Sequence, residues 1–264
     1  MGCRFARLGL IVALAFSAAD LVRPAFAAEK IGVVLMHGKN STNKPRSPIG
    51  RLQAALQDAG FVTVAPELPW SRDRQYADTV EGAFGELDRA VAELKDKGVG
   101  NVVIAGHSLG ANVALAYGTQ RSGLAGIIAI APGHIPESAD WRKSFANDVA
   151  KAKAMVAAGK GEEPADFSDR NQGKSSPITL RAKVYLSYFD PDGLAAMSHT
   201  AGGLSPNTPV LWIVEDSRKD QIAGRATFDR IPDGGKKEYV VVDSSHNDAP
   251  EKSAARIVQW LKKL

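Results

Sequence analysis

The chain has 264 residues, and its 33 basic and 29 acidic side chains give a formal net charge of +4. This small excess gives no indication of binding to nucleic acid or to an anionic membrane surface. The single cysteine is Cys3, so residues 28–264 can form neither a disulfide nor a thiolate metal site. The length suits one domain with a sizeable hydrophobic core.

The first 27 residues have the pattern of a secretory signal peptide. Arg4 and Arg7 precede an apolar run at residues 8–19, which is shorter than the ~20 residues that a membrane-spanning helix needs. Residues 25–27 read Ala-Phe-Ala and match an A-x-A cleavage site. We therefore predict export to the periplasm or the cell exterior, with residues 28–264 left after cleavage and no stable membrane insertion. An uncleaved membrane anchor is the alternative.

Apolar runs typical of strands alternate with stretches of helical periodicity along most of the chain. The near-continuous apolar run at residues 31–36 is typical of a strand buried on both faces of a parallel sheet. Strands are predicted at residues 31–36, 61–65, 101–105, 124–131, 210–214 and 238–242, and helices at residues 51–59, 79–97, 111–117, 139–158 and 253–264. This alternation predicts an α/β fold in which a mostly parallel central sheet carries helices on both faces.

Residues 132–209 interrupt the alternation between two core strands. A predicted helix is followed by a turn-rich stretch at residues 159–177, an apolar run at residues 184–189, and a stretch rich in Gly, Pro and Ser. Insertions of this length in a compact domain are usually functional or disordered. Because ligands bind at the carboxyl ends of parallel strands, we predict a lid over the pocket. A spacer without substrate contact is the alternative.

A G-x-S-x-G motif, Gly-His-Ser-Leu-Gly at residues 106–110, directly follows an apolar strand. A helix begins at once after it, which would place Ser108 on a sharp turn at the carboxyl end of the strand. The flanking glycines give that turn the room it needs. The motif therefore predicts a nucleophilic serine, with an inert serine in a tight turn as the alternative.

A nucleophilic serine needs a base within hydrogen-bond reach, and His246 is the candidate. Of the five histidines, it alone follows the last core strand, where the chain order Ser, acid, His places the base. The acid should follow the strand at residues 210–214. We predict Asp220, with Asp216 as the alternative and Glu215 as a strand-end residue that points elsewhere. No histidine pair has the helical spacing of a zinc site, so neither a metal nor a cofactor is predicted.

Two backbone amides are needed to hold the oxyanion of a tetrahedral intermediate. The Leu109 amide lies directly after Ser108 at a helix N-terminus, where the helix dipole favours negative charge. The Lys39 amide lies in the loop after the first strand and is the second candidate. Three further residues are predicted to line the substrate pocket: His37, Trp70 and His134. Core packing is the alternative for the aromatic residue among them.

Together these residues resemble the α/β-hydrolase superfamily and, less specifically, its small exported bacterial esterases and lipases. The resemblance rests on His37 after the first strand, the motif around Ser108, an acid after the fifth strand, and His246. It covers residues 30–264 and implies a mostly parallel sheet of the eight-strand type with a lid insertion. It also implies Ser-His-Asp hydrolysis. The acid loop at residues 215–221 departs from the family because it lacks the usual Gly and Pro.

The predicted function is cleavage of carboxylic esters through an acyl-enzyme on Ser108, with His246 as the base and Asp220 as the orienting acid. A small-molecule ester is therefore the predicted partner. The same triad could cleave amides or thioesters. A binding protein of the cell envelope that keeps the fold without catalysis is the alternative from a different class, because a fold does not by itself guarantee chemistry.

Overall fold

The computed structural model describes residues 30–264, and the predicted signal peptide lies outside the described residues. The strands are β1 (Ile31–Met36), β2 (Val62–Val64), β3 (Asn101–His107), β4 (Gly126–Ile130), β5 (Pro164–Asn171), β6 (Lys174–Arg181), β7 (Val210–Glu215) and β8 (Lys237–Val242). Six of them form one sheet in the order β2-β1-β3-β4-β7-β8, and every neighbouring pair in it is parallel. The sheet therefore ends in a single carboxyl edge.

The helices alternate with these strands outside the insertion. They are α1 (Pro48–Asp58), α2 (Val80–Asp96), α3 (Leu109–Gln120), α4 (Ala139–Ala157), α5 (Ala182–Phe189), α6 (Met197–Gly202), α7 (Ala249–Lys252) and α8 (Ala254–Leu261). The side chains of Ser47, Thr79 and Ser138 each accept a hydrogen bond from a first-turn amide and so cap α1, α2 and α4. Within residues 30–264, no helix is both long enough and apolar enough to cross a membrane.

Successive residues of each core strand supply two separate hydrophobic layers. In β1, Val34 belongs to the cluster that α2 and α3 cover, whereas Val33 belongs to the cluster that α1 and α8 cover. Both side chains are fully buried, and burying a residue of this size contributes about 1.5–3 kcal/mol. Successive side chains of a strand point to opposite faces, and helices cover both faces of this sheet. Both sets of side chains are therefore apolar, which explains the unbroken apolar run in the sequence. The predicted α/β fold with helices on both faces is confirmed.

The central sheet has six strands within the described residues, fewer than the eight-strand type that the resemblance implies. The two remaining strands, β5 and β6, pair with each other in an antiparallel hairpin outside the sheet. Both strands of this hairpin lie in the insertion between β4 and β7.

The insertion at residues 132–209 consists of α4, the β5–β6 hairpin, α5 and α6. The stretch predicted as turn-rich, residues 159–177, instead contains β5 and the first half of β6. The hairpin turn is formed by Gln172 and Gly173, which have φ angles of 48° and 80°. Two consecutive positive φ angles match the right-handed twist of the flanking strands. The local polarity that suggested a loop therefore belongs to an exposed hairpin.

Candidate active site

The predicted site residues lie at the carboxyl edge of the central sheet. β1 pairs with β2 on one side and with β3 on the other, so the winding direction of the chain reverses between β1 and β3. In parallel sheets the crevice outside this reversal point is where ligands bind. Ser108 follows β3 and therefore lies at this crevice.

Ser108 lies on a sharp turn that only glycine neighbours allow. Its φ and ψ are 54° and −121°, a sparsely populated conformation that costs roughly 1–3 kcal/mol. A Cβ atom on Gly106 would lie 2.0 Å from the carbonyl oxygen of Gly110, and one on Gly110 would lie 2.7 Å from that of His37. Both glycines of the motif are therefore required by close backbone approach.

Ser108, His246 and Glu215 form a continuous chain of hydrogen bonds. The Ser108 Oγ lies 2.9 Å from His246 Nε2, and His246 Nδ1 lies 2.5 Å from Glu215 Oε1. A carboxylate can only accept, so Nδ1 carries the imidazole proton and Nε2 is free to accept the Ser108 proton. The side chains of His246 and Glu215 are 17% and 2% exposed. This is the geometry of a serine activated by a base that an acid orients.

The structure places Glu215 against His246, a position predicted from the sequence for Asp220 or, as the alternative, Asp216. Asp220 is exposed, and the exposed Asp216 forms a 2.9 Å ion pair with Lys219. The error arose from the end of β7, which extends one residue beyond the predicted strand and includes Glu215. Because β7 and β8 are neighbours, the last side chain of β7 meets the loop after β8 that carries His246.

Glu215 is held in its charged form by its neighbours. Burial opposes ionisation, but the hydrogen bond and charge of His246, with a smaller contribution from Arg218, outweigh it and lower the pKa of Glu215 below its ordinary value. The acid is therefore an anion at neutral pH. An anionic partner at Nδ1 would favour the protonated form of His246.

His107, next to the serine, positions the loop that carries His246. Its Nε2 donates a hydrogen bond to the backbone oxygen of His246 over 2.8 Å. Burial, and then the nearby charge of His246, lower the pKa of His107 to about 3. The ring therefore stays neutral and remains a fixed donor across the physiological range.

The two amides predicted to hold an oxyanion both belong to residues that line the cavity around Ser108. Leu109 is the first residue of α3, so its amide has no partner inside the helix. Among the described residues, the Lys39 amide donates no hydrogen bond either. Gly38 lies close beside the serine, since a Cβ atom on it would be 3.1 Å from the Ser108 Cβ.

Of the three predicted pocket residues, the structure brings only His134 to the cavity. His37 is fully buried, accepts a hydrogen bond from the Leu68 amide at Nε2 over 3.0 Å, and donates from Nδ1 to the Gly38 carbonyl. Trp70 donates from its indole to the backbone oxygen of His37 over 2.8 Å. These two side chains fix the loop after β1, because a buried polar group must find a partner.

The loop after β4 passes directly over the serine and the imidazole. A Cβ atom on Gly133 would lie 3.0 Å from both Ser108 Oγ and His246 Cε1. The buried Asn112 of α3 anchors this loop, donating to the carbonyls of His134 and Ala195 over 2.5 and 2.8 Å. The missing side chain at Gly133 leaves open space beside Ser108 Oγ and the His246 ring.

A cavity of about 130 Å³ opens on Ser108. Its lining residues come from the loops after β1, β3, β4, β7 and β8, from the first turns of α3 and α4, and from the tip of the β5–β6 hairpin: Lys39, Ser108, Leu109, Gly133, His134, Ile135, Trp141, Arg170, Asn171, Gln172, Gly173, Arg218, Gln221, Ala223 and His246. A cavity of about 150 Å³ holds one benzene molecule, so this space has the size of a small organic group. The hairpin tip is at the cavity, and its role as a lid stays a prediction.

A buried ion pair joins the loop after β1 to the hairpin. Lys39 Nζ lies 2.7 Å from Asp169 Oδ1, and the two side chains are only 7% and 12% exposed. The same ammonium donates to the Arg170 carbonyl over 2.5 Å. Burial lowers the pKa of Lys39, and the charge of Asp169 opposes this. The pair holds the insertion against the sheet edge at the candidate site.

Replacement of Lys39 by Met should destabilise the protein by about 3–5 kcal/mol, because it leaves the Asp169 carboxylate buried without a cation. Urea unfolding followed by circular dichroism measures the change. The double variant Lys39→Met/Asp169→Leu should recover most of the loss, since both charges are then removed together.

Lys44→Met is the matched control, because Lys44 pairs with Asp73 over 3.1 Å while both side chains are exposed. Exposed pairs contribute little to stability, so this variant should unfold close to the unmodified protein. If Lys39→Met and Lys44→Met lose the same free energy of unfolding, the burial of the Lys39 ion pair does not increase its contribution to stability.

The sequence matches the model of the alpha/beta hydrolase family over residues 33–260. The chain belongs to that family. No curated protein sequence matches the chain.

Solved structures extend the likeness of this alpha/beta hydrolase to nearly its whole length. A monoacylglycerol lipase from Paleococcus ferrophilus superposes with a TM-score of 0.62 at 22% identity, covering 89% of this chain and 96% of the lipase. A thermostable carboxyl esterase from Bacillus coagulans gives 0.61 at 14% identity, with coverages of 89% and 90%. A soluble variant of the monoglyceride lipase of Saccharomyces cerevisiae gives 0.59 at 15% identity, with coverages of 88% and 86%. At these identities the similarity establishes the fold.

Proposed function

We propose that the protein is a serine hydrolase that cleaves carboxylic esters of small molecules. The observation that carries the proposal is the hydrogen-bond chain from Glu215 through His246 to Ser108 at the sheet edge. Structural neighbours that are lipases and esterases support an ester as the substrate. The cavity of about 130 Å³ beside Ser108 supports a small group on one side of the ester.

In this mechanism His246 Nε2 takes the Ser108 proton while Oγ attacks the ester carbonyl carbon. The amides of Leu109 and Lys39 hold the oxyanion of the tetrahedral intermediate. His246 then gives its proton to the departing alcohol, which leaves an acyl group on Ser108. Water, deprotonated by His246, attacks the acyl-enzyme in the same way and releases the carboxylic acid. Glu215 stabilises the imidazolium in both halves.

Labelling with a fluorophosphonate probe separates this proposal from a catalytically silent binding protein. The probe forms a covalent bond only with an activated serine, so the protein should be labelled at Ser108 and the Ser108→Ala variant should not. Mass spectrometry of the labelled peptide identifies the residue. A folded protein that resists labelling would contradict the proposal. Parallel assays with an amide and a thioester of the same acyl group test the alternatives that use the same triad.

Replacement of Gly133 by Ala should lower kcat/KM for a short ester by roughly 10- to 100-fold, because displacement of reacting groups by about 1 Å costs up to that much. The added methyl group would lie 3.0 Å from Ser108 Oγ, in the space for the substrate carbonyl. The φ angle of Gly133 is not in the left-handed region, so the backbone accepts alanine without strain. Steady-state kinetics and a thermal melt measure activity and folding separately.

Gly85→Ala is the control, since a Cβ atom at this position on α2 meets nothing within 4 Å. It should leave kcat/KM unchanged. If Gly133→Ala keeps full activity, the space above Gly133 is not where the substrate binds.

Export through the leader at residues 1–27 also remains a proposal. The N-terminal mass of the protein recovered from the periplasm or the medium tests it. A protein that begins after residue 27 supports cleavage, whereas an intact N-terminus would contradict it.

A further inference from the structure

The cavity at Ser108 is lined by three cationic side chains and, among the residues that the structure describes, by no Asp or Glu. The three cations are Lys39, Arg170 and Arg218. A cleft lined by charges of one sign attracts ligands of the opposite sign. The cations differ, however, in how far protein carboxylates already satisfy them.

Two of the three cations have close carboxylate partners. Lys39 pairs with the buried Asp169. The Arg170 guanidinium lies 2.5 Å from the Asp140 carboxylate and donates to the Ser144 hydroxyl over 3.1 Å. The charges of Lys39 and Arg170 are therefore largely neutralised by protein carboxylates, and these ion pairs hold the hairpin in place.

Arg218 differs because its guanidinium faces the reacting atoms and, within the part of the chain that the structure describes, donates no hydrogen bond. The nearest carboxylate oxygen is Glu215 Oε1, 3.9 Å from Arg218 Nε, and that oxygen already accepts from His246. Arg218 Nη1 lies 3.3 Å from the point that a Cβ atom on Gly133 would occupy, and Ser108 Oγ lies 3.0 Å from the same point. The side chain is 29% exposed. A ligand at Ser108 therefore lies within reach of unused guanidinium donors.

We propose that Arg218 forms a subsite for an anionic group of the substrate, so that the preferred ester carries a carboxylate a few bonds from the scissile carbonyl. The proposal rests on the proposed ester hydrolase function and narrows its substrate class. A guanidinium can bind a carboxylate through two parallel N–H···O bonds, and such charge-assisted bonds are about twice as strong as neutral ones. Ser108 Oγ and Arg218 Nη1 lie 3.0 and 3.3 Å from the same point, so the scissile carbonyl and the anionic group must be close together in the ester.

A purely structural role for Arg218 gives a different expectation. If the guanidinium only supports Glu215, its removal lowers turnover of charged and neutral esters by the same factor. A substrate-binding role instead changes the ratio between them. The ratio of kcat/KM for an anionic ester to that for its neutral isostere is therefore the deciding readout.

Two pairs of isosteric esters test the subsite with a pH-stat assay. Monoethyl succinate against ethyl succinamate places the carboxylate or its amide isostere on the acyl side. Acetoxyacetate against acetoxyacetamide places the same groups on the alcohol side. The unmodified protein should prefer the anionic member of at least one pair by about 10-fold or more, the effect expected of a charged hydrogen bond. The pair that shows the preference identifies the side of the ester that Arg218 contacts.

In the pair that shows the preference, Arg218→Gln should bring the ratio of kcat/KM for the anionic ester to that for the neutral ester close to one. Arg218→Lys should retain part of the anionic preference, because lysine keeps the charge without the planar guanidinium. Arg89→Gln is the matched control, since Arg89 is exposed on α2 and is not among the residues that line the cavity. It should leave the ratio as it is in the unmodified protein. Circular dichroism checks that each variant is folded.

Binding without turnover provides a second measurement. Calorimetric titration of Ser108→Ala with the preferred anionic ester should show binding that Ser108→Ala/Arg218→Gln weakens by about 10-fold or more.

Two results would overturn the subsite and leave the hydrolase proposal intact. The unmodified protein could hydrolyse the neutral esters as well as the anionic ones, or Arg218→Gln could leave the ratio of kcat/KM for anionic and neutral esters unchanged. A folded protein that hydrolyses none of the four esters and resists the fluorophosphonate probe would overturn the hydrolase proposal. The titration is then run with both anionic esters, and binding that Arg218→Gln does not weaken would overturn the subsite as well.

Discussion

Replacement of Ser108 by Ala is expected to reduce kcat for a short ester by about 10⁴-fold or more, because the members of a catalytic triad act as a unit. In the proposed mechanism the variant loses the oxygen that carries the acyl group, while His246 and Glu215 remain in place. The serine makes no cap hydrogen bond through its side chain, so the fold should survive. Alanine should also tolerate the turn, since the strain there comes from the backbone φ of 54° and not from the hydroxyl.

The measurement is steady-state hydrolysis of a short ester by purified protein, with the thermal melt as a check on folding. Ser217→Ala is the matched control because Ser217 is an exposed serine in the loop after β7. It should retain full activity. If Ser108→Ala keeps the activity of the unmodified protein, the nucleophile lies elsewhere and the proposed mechanism fails.

Glu215→Gln is expected to lower kcat by about 10²- to 10⁴-fold, although glutamine has nearly the same shape as glutamate. The amide removes the negative charge that stabilises the imidazolium. It can also offer an N–H to His246 Nδ1, which would place the ring proton on Nε2 and prevent that atom from accepting the Ser108 proton. Steady-state kinetics on the same ester measures the loss.

Asp220→Asn and Asp216→Asn are matched carboxylate-to-amide controls in the same loop. Both residues are exposed, and the two ring nitrogens of His246 pair with Glu215 and Ser108 instead. Each variant should hydrolyse the ester at close to the unmodified rate. A large loss of kcat in Asp220→Asn together with a small loss in Glu215→Gln would identify Asp220, the residue predicted from the sequence, as the orienting acid.

The pH dependence of stability provides an independent check on Glu215. Its pKa is lowered in the folded protein, so the unfolded chain binds more protons as the pH falls. The resulting stabilisation is fully present above the unfolded glutamate pKa of about 4.3 and is lost as the pH falls through the folded value. Glu215→Gln should lack this part of the acid destabilisation. Urea unfolding at pH 7 and near pH 4 compares the two proteins.

Local signals were sufficient for the features that depend on neighbours along the chain. The apolar runs and their alternation with helices predict the parallel sheet. The motif at residues 106–110 predicts the turn at Ser108. A side chain at Gly106 would clash with backbone close in sequence, and one at Gly110 would clash with backbone at the end of the adjacent strand. The position of His246 after the last strand predicts that it meets Ser108, because parallel strands end at one edge.

The partner of His246 could not be chosen in this way. Three acidic residues follow or end β7, and the choice among them depends on where the strand stops and which side chain faces β8. A displacement of one residue changes the direction of a strand side chain. The strand end was predicted one residue early, so Glu215 was interpreted as pointing elsewhere.

The sequence by itself determined the fold class, the serine turn and the histidine loop, because each follows from periodicity or from glycine at fixed spacing. Only the tertiary structure decided that Glu215 faces His246, that His37 and Trp70 support a loop instead of the cavity, and that Arg218 lies beside the serine. These residues come from the end of β7 and from loops after other strands, and their relative positions are set by packing of the whole domain. No local pattern records such distances, since side chains far apart in sequence meet only after the sheet and its helices assemble.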